Sequence, residues 1–347
     1  MDAVLNNFME NAFENELHEV YDRTGLKGLN EYITNELNRW KHERITMAIT
    51  GNSGAGKSSL INALRGIESN DDNAAEEGVT ETTKEIKPYS FPLNEQIRLY
   101  DLPGAGTKSH PIESYARDMD FKQKTQTRDA VLDKIRKDCL SNLDELNVKG
   151  NDVFLVSSHV HEDFELGKLQ MNIANNASEA LKTSLIFSYR NKTKEVIEGK
   201  IQYLQKRALM VAVKAVVSTV PGAEYLMNEN VIIDEITFYK EELGLDDESL
   251  IKTCEIVGVD MKTIKNMISF TDFESCTDNI MKIVLEMDDK LDFKKLCKGI
   301  LQTIFQSTFT GCRKSFVKVF RALCTILETL HLEALEILEQ ILEKERQ

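Results

Sequence analysis

Proline and glycine are scarce in this sequence, and basic residues are fewer than acidic ones. Its 347 residues include five prolines and 17 glycines, a composition that favours helices over many short strands and turns. The 43 lysines and arginines are outnumbered by 57 aspartates and glutamates, so the net charge is −14. An acidic chain gains little from the phosphate charges of nucleic acids, so we expect no nucleic-acid partner.

Paired cysteines and long apolar runs are also lacking. None of the six cysteines forms a Cys-x-x-Cys pair, which argues against a zinc or redox site and favours free thiols in a reducing compartment. No apolar run follows Met1, so no secretory signal is predicted. The most apolar stretch, 208–220, is shorter than the roughly 20 residues that span a bilayer. We therefore expect a cytoplasmic protein without a transmembrane segment, for which peripheral membrane attachment stays open.

Hydrophobic periodicity divides the chain into three parts: an amphipathic helical lead over 1–44, an α/β unit over 45–165 and an all-helical region over 166–347. Strands are predicted over 45–50, which should be buried, and over 86–91, 97–100 and 153–156, with a turn over 92–95. The predicted helices cover 58–65, 129–146, 165–182, 193–219, 229–243, 247–256, 261–269, 275–286 and 293–345, with a break expected in the last near Gly311.

A phosphate-binding motif lies between the first strand and the first helix of the α/β unit. Its sequence, Gly51-Asn52-Ser53-Gly54-Ala55-Gly56-Lys57-Ser58, fits Gly-x-x-x-x-Gly-Lys-Ser. The three glycines let backbone amides point at the β-phosphate, Lys57 contacts the β- and γ-phosphates, and the Ser58 hydroxyl is a Mg²⁺ ligand. The motif predicts a bound nucleoside triphosphate with Mg²⁺; the alternative is a glycine-rich turn that only caps a helix. The candidate nucleotide-binding residues here are Gly51, Gly54, Ala55, Gly56, Lys57, Ser58 and Ser59.

Two further segments match the remaining parts of such a site. Asp101-Leu102-Pro103-Gly104 follows a predicted strand, so the Asp101 carboxylate can reach Mg²⁺ and the Gly104 amide can sense the γ-phosphate. The alternative is a simple turn from strand to loop. Between the two motifs, 78–83 contains three threonines, one of which a switch loop would direct at Mg²⁺. The alternative for this segment is a polar surface loop.

These motifs resemble those of the immunity-related GTPases, the interferon-inducible p47 type, and the likeness covers nearly the whole chain. The matching segments are Trp40-Lys41, 51–66, Tyr100-Asp101-Leu102-Pro103-Gly104-Ala105-Gly106-Thr107, 135–140, 152–159, Val220-Pro221-Gly222 and 238–250. The resemblance implies a Ras-like P-loop G domain held by a helical domain built from both chain ends. It implies GTP and GDP as ligands, and GTP hydrolysis activated across a dimer of G domains. It also implies association with itself or related GTPases, and cell-autonomous defence at intracellular membranes.

The resemblance also assigns residues by motif. Glu81 matches the switch glutamate of the family's dimer interface, and Thr83 is the threonine two positions on, a candidate Mg²⁺ ligand beside Ser58 and Asp101. The implied catalytic set is Lys57, Glu81, Thr83 and Gly104. Ser157, Ser158 and His159 match the loop that meets the guanine, although the family often has lysine in place of His159.

The chain departs from the family's pattern in the second half of the G domain. No Asn/Thr-Lys-x-Asp motif, which reads guanine, lies between residues 105 and 190. One predicted helix, rather than a strand, helix and strand, separates Gly104 from 153–156. The resemblance breaks near Phe121-Lys122, and an internal deletion, by exon skipping or a faulty gene model, explains this better than gradual divergence. We expect a truncated G domain in which 153–156 pairs with 45–50 or leaves a sheet edge exposed.

Three functional hypotheses remain. The first is a GTPase of the immunity-related type whose base specificity is compromised in this chain. The second is a non-hydrolysing scaffold or defective isoform with weak, poorly guanine-specific binding. The third, an ATPase of another P-loop class, is disfavoured by the segment 101–104 and by the helical half. An apolar stripe near the chain end is predicted to face a core rather than a membrane or partner helix. It consists of Phe316, Phe320, Leu323, Leu327, Leu330, Leu335, Leu338 and Leu342.

Overall fold

The structure, a computed structural model, describes residues 11–49, 51, 54–77, 87–101, 136–137, 153–157, 164–218, 228–267, 277–286 and 310–345. Its elements are α1 (Asn11–Asn38), β1 (Ile45–Ile49), α2 (Lys57–Arg65), β2 (Lys87–Phe91), β3 (Asn94–Asp101), α3 (Leu166–Asn175), α4 (Glu179–Ser188), α5 (Lys194–Val217), α6 (Glu229–Leu243), α7 (Asp247–Val257), α8 (Met261–Met267), α9 (Thr277–Glu286) and α10 (Thr310–Glu345).

The chain forms two compact units. The first, which we call the sheet unit, is Glu43–Val196; the second, the helical unit, combines Met1–His42 with Ile197–Gln347. The sequence predicted that the α/β unit ends at residue 165, before the end of the sheet unit at Val196. In the structure α4 packs against β3, and α3 packs against α2 and α4. The two helices that follow residue 165 therefore belong with the sheet.

The sheet unit is built on three strands in the order β1-β3-β2. β1 runs parallel to β3, and β2 pairs antiparallel to β3 in a hairpin. The strands predicted over 45–50, 86–91 and 97–100 are confirmed over 45–49, 87–91 and 97–100, while residues 50 and 86 lie outside the described residues. β3 begins earlier than predicted, at Asn94, whose side-chain Oδ1 accepts a hydrogen bond from the Gln96 amide at 3.0 Å. The turn is therefore confined to Pro92 and Leu93.

The prediction that the first strand is buried is wrong for most of its length. Ile45 is buried, but Thr46 and Ala48 are exposed. On β3, Ile97 and Leu99 are buried where α2 and α4 pack, whereas Arg98, which pairs with Thr46, is exposed. The helices therefore cover one face of this sheet, and the strand needs only one apolar face.

The strand predicted over 153–156 is absent from the structure, which describes residues 153–157 without a strand. The main chain of Leu155 bonds to Glu165 instead: its N–H donates to Glu165 Oε2 at 3.0 Å, and its oxygen accepts from the Glu165 N–H at 2.9 Å. Of the two outcomes expected from the sequence, the pairing of 153–156 with 45–50 is therefore wrong, and the other, an unpaired sheet edge, agrees with the described strands. In the sheet that the described residues form, β1 is an edge strand.

The helices predicted between residues 193 and 286 hold within a few residues of their bounds. The helix predicted over 165–182 is two helices, because the chain turns at 176–178 and Ser178 is extended before α4 begins. Residues 136–137 are helical, as expected, while the rest of 129–146 lies outside the described residues. Residues 293–309 also lie outside them, and α10 is continuous through Gly311.

The helical unit packs α10 against α6, α7 and α9. Six members of the predicted apolar stripe are buried, namely Phe316, Phe320, Leu323, Leu327, Leu330 and Leu338, and the other two are half-buried. This confirms that the stripe faces a core. In the part of the chain that the structure describes, no helix is both long and apolar enough to cross a bilayer.

Candidate functional site

The candidate site lies where two parallel strands end side by side. β1 and β3 are in a register that places Ile49 opposite Asp101, the last residue of each strand. The glycine-rich motif follows β1, so it leaves the sheet at the same edge as the Asp101 carboxylate. The carboxyl edge of parallel strands is the usual ligand-binding edge of an α/β sheet.

The glycine-rich segment turns sharply into α2. Gly54 and Gly56 have φ angles of 73° and 77°, in the left-handed region that residues with a Cβ disfavour. Gly56 is the N-cap of α2, and Lys57 is its first residue. The free amides and positive end of a helix N-terminus suit an anion such as a phosphate group. The geometry at Gly54, Gly56 and Lys57 is thus compatible with a phosphate-binding loop, of which Asn52 and Ser53 lie outside the described residues.

Ser58 and Asp101 are brought together from positions 43 residues apart. The Ser58 Oγ donates a hydrogen bond to Asp101 Oδ2 at 2.7 Å, and Asp101 is buried, with 1% of its surface exposed. A hydroxyl and a carboxylate are the hard oxygen ligands that Mg²⁺ prefers. The two residues assigned from separate sequence motifs therefore fit a shared magnesium site, the ion being completed by phosphate oxygens and water.

Asn62, one turn further along α2, was not found by sequence reasoning. Its buried side chain binds both main-chain groups of Ala75: Nδ2 donates to the carbonyl at 2.9 Å, and Oδ1 accepts from the amide at 2.7 Å. Nδ2 also donates to Glu77 Oε1 at 2.9 Å. Asn62 lies in the segment 51–66 that carries the family resemblance, but no motif gave it a role; its position four residues after Ser58, on the same helical face, was a further signal.

Arg65, a further turn along α2, was also missed. Its Nε donates to the Ser90 carbonyl at 2.8 Å, and its Nη1 donates to the Asn73 carbonyl at 3.0 Å. The guanidinium lies over the Tyr89 ring, 5.3 Å from its centre, and Arg65 is 3% exposed. Burial lowers the pKa of Arg65 below its ordinary value. Arg65 thus joins the end of α2 to both the loop before residue 78 and the β2 strand.

The other predicted site residues divide into two groups. Gly51, Ala55 and Ser59 lie in the loop and first turn of α2, as expected, and Ser157 is half-buried in the segment after Leu155. A second group, Glu81, Thr83, Gly104, Ser158 and His159, lies outside the described residues. Their roles stay predictions.

Comparison with known proteins identifies the family. The sequence model of the family described as Interferon-inducible GTPase (IIGP) matches residues 12–124 and 117–341. Together these segments cover most of the chain, which therefore belongs to the interferon-inducible GTPase family. The two matched segments meet and overlap at residues 117–124.

Individual relatives support the assignment. Interferon-gamma-inducible GTPase 10 of Mus musculus is 27% identical over 295 residues, which cover 69% of this chain and 71% of that protein. Interferon-inducible GTPase 5 of Bos taurus is 29% identical over 277 residues, which cover 65% of this chain and 60% of its own length. The chain thus spans less than two thirds of the bovine relative. Immunity-related GTPase family M protein 1 of Mus musculus is 42% identical over 77 residues, 22% of this chain.

In the longer alignments, part of the relative's sequence has no counterpart in this chain. The murine alignment has 295 positions, whereas 69% of 347 residues is about 240, so about 55 positions have no counterpart here. The bovine alignment has 277 positions and takes in 65% of this chain, so by the same calculation about 50 of its positions have no counterpart here. The 77-residue alignment takes in 22% of the chain, about 76 residues, and shows no such deficit.

Proposed function

We propose that this chain binds GTP and GDP with Mg²⁺ at the carboxyl edge of β1 and β3 and hydrolyses GTP. The observation that carries the proposal is the 2.7 Å hydrogen bond between Ser58 and the buried Asp101, which joins two motifs at one point beside the start of α2. Membership of a GTPase family supports guanine as the base. Bound there, Mg²⁺ would neutralise charge on the β- and γ-phosphate oxygens.

The chain's own residues have separate roles in this proposal. The backbone of 51–56 and the N-terminus of α2 cradle the β-phosphate, and the Lys57 ammonium attracts the β- and γ-phosphates. Ser58 and Asp101 would hold the Mg²⁺ ion beside the phosphates. The motif assignments add Gly104 for the γ-phosphate, Thr83 for the metal and Glu81 for the contact between G domains.

The proposal extends to the protein's setting. The family resemblance supports GTP-dependent association with itself or with related GTPases. It also supports a role in cell-autonomous defence as a cytoplasmic protein peripherally attached to intracellular membranes. The alternative is a scaffold that keeps the phosphate site for association and does not hydrolyse the nucleotide.

The first prediction tests phosphate binding through Lys57→Ala. Removing the ammonium should reduce affinity for GTP and GDP below detection, because a lysine at this place contacts two phosphates. Calorimetry with and without Mg²⁺ measures the effect. The matched control is Lys87→Ala, a lysine of the same unit whose side chain is 57% exposed; it should bind as the unaltered chain does. Unchanged affinity in Lys57→Ala would refute the phosphate site.

The second prediction concerns base selectivity, and the missing alignment positions support it. We propose that the absent stretch includes the guanine-reading motif, because that motif is missing from 105–190 and the family match is divided at 117–124. A site built to bond a base discriminates strongly, and losing those bonds removes the discrimination. GTP should then be preferred over ATP by less than about tenfold.

Competition between GTP and ATP on the purified chain measures this preference. A control relative that keeps the Asn/Thr-Lys-x-Asp motif should favour GTP by about a hundredfold or more. The same strong preference in this chain would show that another residue reads the base, and that the inference from the missing motif is wrong.

A further inference from the structure

We propose that Asn62, supported by Arg65, is a positioning residue of the nucleotide site. Asn62 holds residues 73–77 against α2, the helix that begins at the phosphate loop. We call residues 73–77 the stem, because they lead into the predicted switch segment 78–83. This inference rests on the proposed function, because the positioned segment precedes Gly78, where the motif of 78–83 begins. It assigns no direct contact with nucleotide to either residue.

One face of α2 connects three parts of the sheet unit in successive turns. Ser58, Asn62 and Arg65 are spaced four and three residues apart, so they lie on the same side of the helix. Ser58 binds Asp101, Asn62 binds Ala75 and Glu77, and Arg65 binds the carbonyls of Asn73 and Ser90. One face of α2 therefore contacts the Asp101 carboxylate, residues 73–77 and β2.

The bonds of Asn62 are chemically specific. A carboxamide donates and accepts in one plane, so it satisfies the N–H and C=O of the buried Ala75 as a neighbouring strand would. An aspartate has the same shape but donates nothing when ionised. At position 62 it would leave the Ala75 carbonyl without its donor and face the Glu77 carboxylate at hydrogen-bond distance.

A triplet of variants tests the inference: Asn62→Asp, Glu77→Gln and the two combined. Glu77→Gln alone should behave as the unaltered chain, because a glutamine oxygen still accepts from Asn62. Asn62→Asp should keep GDP affinity within about twofold, since the phosphate loop is intact. Its GTP turnover, and its preference for a slowly hydrolysed GTP analogue over GDP, should each fall about tenfold.

The double variant tests whether the bond between positions 62 and 77 causes these losses. A glutamine at 77 can donate to an aspartate at 62, which reverses the original bond and removes the repulsion of like charges. Part of the lost turnover and of the lost analogue preference should return. Hydrogen exchange at the Ala75 amide, measured without nucleotide, should be faster in Asn62→Asp and slower again in the double variant.

Arg65→Lys is a second route to the same answer if Asn62→Asp does not fold. A single ammonium cannot reach the carbonyls of both Asn73 and Ser90 as the planar guanidinium does. Its turnover should therefore fall while GDP affinity stays within about twofold.

The outcomes separate this inference from the function on which it rests. If the unaltered chain binds neither GTP nor GDP, the proposed function fails and this inference fails with it. If the unaltered chain binds both, and Asn62→Asp keeps its turnover and analogue preference, the positioning role alone is refuted. Equal losses of GDP affinity and turnover would also refute it, because they would mean that Asn62 only supports the fold of the phosphate loop.

Discussion

The helical unit and the sheet unit bury polar groups in different ways. In the helical unit, buried charges face each other: Lys200 lies 3.3 Å from Glu242, and Arg207 donates to both oxygens of Glu235 at 2.7 and 2.9 Å. In the sheet unit, the buried side chains of Asn62, Arg65 and Gln170 donate mainly to main-chain carbonyls. The two patterns have different consequences when one partner is removed.

A charge that loses its partner in a buried pair stays in a poorly polarisable environment, which costs more than a lost neutral hydrogen bond. Burial lowers the pKa of Lys200, and the facing Glu242 carboxylate opposes that change. The helical unit should therefore respond to substitutions mainly in its stability. In the sheet unit, the same kind of substitution should cost less stability, and its main effect should be to release a segment beside the nucleotide site.

The largest effect is expected from breaking the helical core directly. Leu327 is 1% exposed on α10, and Leu327→Asp would bury a carboxylate among apolar side chains. The helical unit should lose its cooperative unfolding transition, a destabilisation of more than about 4 kcal/mol. Circular dichroism and calorimetry measure this loss.

Leu332 provides the matched control on the same helix, because it is 67% exposed. Leu332→Asp should change stability by no more than about 0.5 kcal/mol. A Leu327→Asp chain that folds normally but no longer associates with membranes would reverse the assignment of the stripe to the core.

The next largest effect is expected from the buried ion pair of Arg207. Arg207→Leu leaves Glu235, whose side chain is 5% exposed, without its guanidinium, and removes the donor to the Leu37 carbonyl at 2.5 Å. The guanidinium also lies over the Phe238 ring, 4.1 Å from its centre. The free energy of unfolding in urea should fall by about 3–5 kcal/mol.

Two further variants show whether charge is the cause. Arg207→Leu combined with Glu235→Leu should recover much of the loss, because a buried pair replaced by apolar residues is often tolerated. Arg39→Leu, in an exposed pair with Glu36 at 3.6 Å, should cost no more than about 1 kcal/mol. A double variant no more stable than Arg207→Leu alone would show that packing, not the unpaired carboxylate, sets the cost.

The two units also differ in how well the sequence predicts them. The helix over 229–243 was predicted with the bounds it has, because its apolar period is clear and Gly244 follows it with a φ of 71°. The strand over 153–156 was predicted from a short apolar run alone. Such a run does not say whether a partner strand exists, and Leu155 bonds to Glu165 instead. Local patterns thus predict helices better than they predict membership of a sheet.

The candidate site shows the same division. Ser58 and Asp101 could be predicted because each belongs to a motif whose chemistry needs that residue type. Asn62 and Arg65 could not, since their partners are main-chain atoms of Asn73, Ala75 and Ser90, and any residue supplies those. Side chains that act through backbone carbonyls leave no pattern at the position they bind. A residue of this kind can be identified only when the structure shows both its side chain and the backbone atoms that the side chain binds.

The smallest effect is expected at Glu165, which joins the segment around Leu155 to the helical residue Arg136. Arg136 Nη2 donates to Glu165 Oε2 at 2.6 Å, and the Leu155 amide donates to the same oxygen at 3.0 Å. Partial burial acts to raise the pKa of Glu165, but the Leu155 amide and the Arg136 guanidinium outweigh it and lower that pKa below its ordinary value.

A carboxyl with a depressed folded-state pKa stabilises the fold above its unfolded-state pKa, about 4.3, and this contribution disappears as pH falls through the folded-state pKa. Glu165→Gln keeps an acceptor for Leu155 but removes the charge, so it should lower the free energy of unfolding by about 1 kcal/mol at pH 7. The difference between Glu165→Gln and the unaltered chain should shrink towards zero below about pH 4, as urea titrations from pH 7 to pH 3 would measure. Glu76→Gln is the control in the same unit, because Glu76 is 75% exposed and lies 3.9 Å from Lys87; it should change little at either end of the range. A Glu165→Gln difference that stays constant with pH would mean that the shape of the side chain, and not its charge, holds Leu155 in place.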